Sequence, residues 1–278
     1  MIETTVRMPT NDQITLFLWP EGLYPRRVGY WLLIKGLVSS PQDLLNGSTT
    51  DPNLSIVLQS PNITATSIEW NYNPENDPLP KNISTTTPCL RIRHSKTGNH
   101  RWVRESSSII AYLEQVYADK APSLQSKDLL DIAATNDLVG QINLSIFDAA
   151  TYARHASPQL AAFAGLKEEE RSRASARVGY QNMIKGLVKV SKWAEDSLRT
   201  TGWLTPGTNG PGLVDLNLAA PCRFYELAYG WNIFEKEELR PLAECYERFR
   251  KLSWWDALEE RADVHPSELI FTLDDFKV

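Results

Sequence analysis

Thr87-Pro88-Cys89-Leu90-Arg91-Ile92, a turn over Ser95 to Asn99, His100 to Val103, and then Glu105-Ser106-Ser107-Ser108-Ile109-Ile110-Ala111-Tyr112-Leu113-Glu114 form the stretch whose reading decides the fold. A strand entered through Thr-Pro, a polar turn and a second short run make an antiparallel hairpin. Behind it, Ile109, Ile110, Leu113 and Val116 recur at helical spacing after an acidic residue and three serines, which marks a helix start. The unit reads ββα.

Upstream, Ile14 to Trp19 is a short β-branched and aromatic run broken by Pro20, Glu21 and Gly22, and it reads as a buried strand. Val28, Trp31, Leu32 and Ile34 then fall at helical spacing. Pro25 suits a first turn, and Lys35-Gly36 suits a C-terminus. The stretch from Val38 to Ala65 is rich in Ser, Asn, Asp and Pro and reads as an insertion, with a weak second strand expected near Thr66 to Trp70. Asn73 to Pro80 is dense in turn formers. The order is βα, a second strand, then ββα.

Downstream, Ala118 to Ser126 resembles a linker and strand signals nearly vanish. Ile132, Leu138, Ile142, Ile146, Phe147 and Ala150 mark one amphipathic helix; Val178, Ile184, Leu187, Val188 and Trp193 mark another. Leu213 to Tyr229 and Pro241 to Leu252 supply two more. The expected division is an α/β domain over 1–118, a linker over 119–125 and an all-helical domain over 126–278. A chain of 278 residues agrees with two domains at about 150 residues each.

Composition narrows the function classes. Hydrophobic residues make up 42% and charged residues 23%, which fits a folded globular chain rather than a disordered or fibrous one. A net charge of -5 with a pI near 5.5 offers no basic footprint for nucleic acid or for an anionic membrane surface. Cys89, Cys222 and Cys245 cannot all pair, and Met1 to Gln13 lacks an apolar signal core, so a reducing, cytoplasmic setting is expected. His94, His100, His155 and His265 show no metal-ligand spacing, and no metal site is expected.

Four segments together resemble the cytosolic glutathione S-transferase family: Leu18 through Leu37; Asn73-Pro74 with Thr87-Pro88-Cys89-Leu90; Glu105 through Glu114; and Gly212-Leu213-Val214-Asp215-Leu216-Asn217-Leu218-Ala219-Ala220. Their order spans residues 14 to 255, and the sequence most resembles fungal, biosynthetic-type members. The resemblance implies a thioredoxin-like N-terminal domain followed by an all-helical C-terminal domain, glutathione as cofactor, an apolar electrophilic small molecule as second partner, and a homodimer.

The same resemblance implies roles for particular residues. Glu105 would meet the ammonium and Ser106 the carboxylate of the γ-glutamyl end, where a helix N-terminus also attracts anions. A plain capping pair is the alternative reading of the same residues. Pro88 would be a cis-proline that turns the backbone of Thr87 to pair with the cysteinyl unit, and Lys81 would meet the glycyl carboxylate or stand as a surface lysine. The position at which the family carries a serine or cysteine donor falls on Gly22, which has none. Tyr24 is then the nearest hydroxyl for the sulfur, or a packed aromatic. Phe147, Tyr152 and Phe224 are candidate liners of the electrophile site, and Asp215 reads as structural. Cys89 reads as a small buried hydrophobe.

Three activities share this reading: thiolate addition to a conjugated carbonyl with release of a conjugate or with cis–trans isomerisation; glutathione binding without catalysis; and peroxidase chemistry using glutathione.

Overall fold

In the computed structural model, which describes residues 12–64, 67–71 and 87–276, strand β1 (Gln13–Leu18) is buried along all but its first residue. That suits its central place in a four-stranded sheet ordered β2-β1-β5-β6. Helix α1 (Leu23–Ile34) follows, with Pro25 in its first turn. It ends where Gly36 takes φ +63° and the Leu37 N–H reaches the Leu32 carbonyl, a left-handed stop that favours glycine.

The stretch read as an insertion contains the sheet's second strand. Helix α2 (Pro41–Asn46) starts at Ser40, whose hydroxyl accepts from the Asp43 N–H, and β2 (Leu54–Leu58) then runs parallel to β1 with Leu16 opposite Ile56. The strand expected near Thr66 to Trp70 exists as β4 (Ile68–Asn71), but it pairs with β3 (Ser60–Ile63) in a separate two-stranded sheet. A parallel strand beside the central strand is a short continuous apolar run, Leu54-Ser55-Ile56-Val57-Leu58, and carries little alternation to detect against its polar flanks.

The expected hairpin is present as β5 (Cys89–Arg93) and β6 (His100–Val103), followed by α3 (Ser106–Val116). Ile14, Leu16 and Leu18 face the main core with α1 and α3, whereas Phe17 joins Cys89, Val57 and Trp102 in a separate cluster. The registers set where function can sit. Phe17 pairs with Cys89 and Leu90 with Val103, so the end of β1, the start of β5 and the end of β6 share one sheet edge. The loops leaving that edge carry Gly22 and Tyr24, Thr87 and Pro88, and Glu105 and Ser106.

The remainder is helical: α4 (Leu129–Ala156), α5 (Pro158–Phe163), α6 (Arg173–Trp193), α7 (Glu195–Thr201), α8 (Leu213–Tyr229), α9 (Arg240–Phe249) and α10 (Trp255–Glu259). Helices α4 and α6 pack so closely that a Cβ on Gly186 would lie 2.2 Å from the Ser145 hydroxyl. The start of α8 is saturated. Asp215 accepts from the Leu204 and Gly212 N–H groups at 2.7 and 2.9 Å and from the Thr205 hydroxyl at 2.7 Å, while Thr205 Oγ1 accepts from the Val214 N–H at 2.9 Å. Thr205 thereby supplies, from a neighbouring turn, the capping oxygen that Gly212 lacks.

Two buried polar clusters tie α1 to the rest of the chain. Glu114 pairs with Lys35 at 3.0 Å and accepts from the Trp31 indole at 2.8 Å and the Leu124 N–H at 3.1 Å. The segment read as a linker is therefore anchored, with Leu124 fully buried. Glu259, also fully buried, pairs with Arg26 and accepts from the Tyr30 hydroxyl at 2.9 Å. Among the described residues no helix is long and apolar enough to cross a membrane.

Candidate active site

The bond between Thr87 and Pro88 is cis, as the sequence predicts, with Pro88 buried and Thr87 half-buried. The Trp19 N–H donates to the Thr87 hydroxyl over 3.2 Å and so pins this loop to the end of β1. At the third loop, Glu105 is the N-cap residue of α3 and exposed, and Ser106 is 5% exposed. Among the described residues no side chain caps α3: Glu105, its N-cap, makes no cap bond, and Ser106 makes none to the first-turn amides. The plain capping reading is thus not what this helix start displays, and its N–H groups remain open to an anion.

Helix α1 also begins without a side-chain cap, at Gly22. A Cβ there would lie 2.7 Å from the Trp19 ring and 3.1 Å from Pro25, so the position of the missing donor is filled by an aromatic wall. Tyr24 is 49% exposed, and its ring lies against the Arg27 guanidinium, 5.3 Å away. Arg27 is itself buried and bonded to Asn143 at 2.7 Å; burial lowers its pKa to about 10.

Beside these loops opens a cavity of about 210 Å³, lined by Gly22, Tyr24 and Thr87 on the sheet side and by Phe224, Tyr229 and Phe271 on the helical side, among other apolar groups. Among the described residues that line it there is no lysine, arginine, aspartate or glutamate. The structure brings Phe224 to this wall. It places the other two candidate liners elsewhere: Phe147 is 68% exposed on α4, and Tyr152 is buried against Tyr180 and Trp231 with its hydroxyl on the Asp274 carbonyl at 3.3 Å. A tyrosine at helical spacing carries the same signal in a core as in a pocket, which is why spacing alone misplaced it. Lys81 lies outside the described residues.

Two contributors escape the sequence reading. Trp19 closes the cavity on one side, and Leu269 and Phe271, at and just beyond the 3-10 turn Ser267–Leu269 that follows α10, close it on another. Their trace in the sequence is the short apolar run Leu269-Ile270-Phe271. Cys89 is buried, and its thiol is pushed up to about 12 by burial, which leaves it a packed hydrophobe rather than a nucleophile. Among the described residues no cluster of His, Cys, Asp and Glu suits a metal ion.

No family model and no curated protein matches the sequence. Solved structures do. The chain is similar to a glutathione-bound glutathione S-transferase of Methylobacillus flagellatus (15% identity, 88% of this chain and 98% of that one, TM-score 0.58). It is similar as well to the glutathione-bound maleylacetoacetate isomerase of Anaeromyxobacter dehalogenans (17%, 93% and 99%, TM-score 0.54). The chain has the glutathione transferase fold. It also matches the trimeric glutathione transferase TDR1 of Leishmania at 14% identity and TM-score 0.54, covering 92% of this chain but only 47% of that one, so it spans about half the length of that relative.

Proposed function

We propose that this protein is a glutathione-dependent transferase that presents a thiolate to a neutral, apolar electrophile, with a conjugated carbonyl as the substrate class. The observation that carries the reading is the convergence, on one sheet edge, of an uncapped Glu105–Ser106 helix start, the cis Thr87–Pro88 pair and an uncapped α1 start beside an apolar cavity. Glu105 would hold the ammonium of the γ-glutamyl end, while the Ser106 hydroxyl and amide hold its carboxylate. The Thr87 N–H and C=O would pair with the cysteinyl unit as an added strand. Lys81 remains the proposed partner of the glycyl carboxylate. The first-turn N–H groups of α1 then face the sulfur as fixed donors, with the Tyr24 hydroxyl at the mouth of the cavity.

Chemically, the thiolate adds to the β-carbon of the conjugated carbonyl and an enolate forms. Protonation gives a conjugate; rotation followed by loss of the thiolate gives the isomerised alkene and returns glutathione. Because no cation among the described residues lines the cavity, a dicarboxylate electrophile would lose its hydration there without a counter-charge from them. A neutral enone is therefore expected to turn over at least ten times faster than a dicarboxylate of similar size, measured as kcat/KM. Mass analysis of the product separates the two outcomes: added mass means conjugation, unchanged mass with altered geometry means isomerisation. A place in fungal secondary metabolism, cytoplasmic residence and a homodimeric assembly complete the proposal.

The Trp19 ring against Gly22 favours one second reading, a glutathione-binding module without chemistry. Retention on immobilised glutathione with no thiolate absorbance near neutral pH would establish it.

A further inference from the structure

Thr87 enters the site through a second atom. Its hydroxyl accepts the Trp19 N–H, an arrangement that uses one lone pair and leaves the proton free. Among the described residues that proton has no acceptor. Thr87 borders the apolar cavity together with Gly22 and Tyr24, and among the described residues only two others with a hydroxyl, Tyr24 and Tyr229, do so. Tyr229 belongs to the helical wall, where its ring packs against Phe224, Tyr225 and Phe271. The Tyr24 ring is half in solvent, where water competes for its hydroxyl. Position 22 offers no side chain, and the Trp19 ring denies it one. The Thr87 hydroxyl differs from all of these in two respects: it is fixed by a backbone donor, and it is carried by the residue that precedes the cis-proline.

We infer that the Thr87 hydroxyl is the side-chain donor that holds the glutathione sulfur as its thiolate, an inference that rests on the glutathione reading above. In the step, the sulfur loses its proton to solvent water, and the Thr87 O–H then donates to the anion; no covalent bond to the threonine forms or breaks. The Trp19 N–H, by drawing electron density from the oxygen, strengthens that donation. A hydrogen bond made only to the charged form lowers the pKa of the thiol.

The test titrates the thiolate absorbance of the protein–glutathione complex against pH in wild type and in Thr87→Val, Thr87→Ser and Tyr24→Phe variants. Calorimetry with glutathione and rates with a neutral enone accompany it. Thr87→Val is expected to raise the titration midpoint by about one pH unit and lower kcat/KM at pH 7 about tenfold, with glutathione affinity within threefold because the backbone pairing survives. Thr87→Ser is expected to titrate like wild type, and Tyr24→Phe to move the midpoint by less than a third of a unit. A midpoint unmoved in Thr87→Val, or moved equally in Thr87→Ser, overturns the assignment. A wild-type protein that binds no glutathione overturns the underlying reading and this one together.

Discussion

Helices α8 and α3 begin in opposite ways. At α8 the chain ties the helix start down from within: Leu213 and Val214 donate their amides to the Leu124 carbonyl and the Thr205 hydroxyl, and Asp215 accepts from the N-cap Gly212 and from Leu204 in the preceding turn. At α3, an acid and a hydroxyl open the helix, yet among the described residues neither side chain bonds a first-turn amide. Both sequences contain capping residue types, so residue type does not separate them; surroundings do. Where a helix start is enclosed by its own chain, unmet N–H groups cost stability and are met internally. Where it opens on a sheet edge beside a cavity, the same groups stay available, and the demand passes to a ligand.

Asp215→Ala breaks the comparison most severely. Removing a buried carboxylate that receives three backbone amides, a hydroxyl and the Cys245 thiol should cost about 3–5 kcal/mol of stability in chemical denaturation. Ser106→Ala should behave in the reverse sense. Stability changes by less than about 0.5 kcal/mol, because no internal bond is lost, while glutathione affinity in calorimetry falls by about 1–3 kcal/mol. If instead Ser106→Ala destabilised the fold and spared binding, the two helix starts would be alike.

The smallest effect concerns pH. His265 sits edge-on to Phe224 with its Nε2 on the Leu269 carbonyl, and burial, assisted by the charge of Arg26, lowers its pKa despite that bond. The folded state therefore releases this proton at a lower pH than the unfolded chain. The stability contribution of His265 rises as pH climbs from its folded value to the ordinary histidine value and is flat above. His265→Gln should remove this part of the slope in denaturation midpoints measured across mildly acidic pH, leaving the neutral limb unchanged.

Much of this contrast was visible in the residues themselves. The β1–α1 unit, the β5–β6 hairpin, the α3 start and the helical half announce themselves because amphipathic periodicity and turn chemistry are local properties. Strand β2 does not, since its five residues are recognisable only once β1 stands beside them. The capping of α8 by Thr205 was equally hidden: Gly212 looks like a defect until the hydroxyl of another segment fills its place. The same holds for the cavity. Phe224 could be guessed and Tyr152 misplaced by one and the same pattern, because spacing reports which side of a helix is apolar and not what lies across from it. Leu269 and Phe271 line the wall through contacts far from their own neighbours in sequence.

The Trp19 ring against Gly22 also bears on which descendants of this protein are reachable. A side chain at 22 requires the indole to move, since a Cβ there would lie 2.7 Å from it, and the same indole lines both the apolar cavity and a larger recess of about 570 Å³. Gaining a hydroxyl at that position therefore entails repacking the wall that these two spaces share.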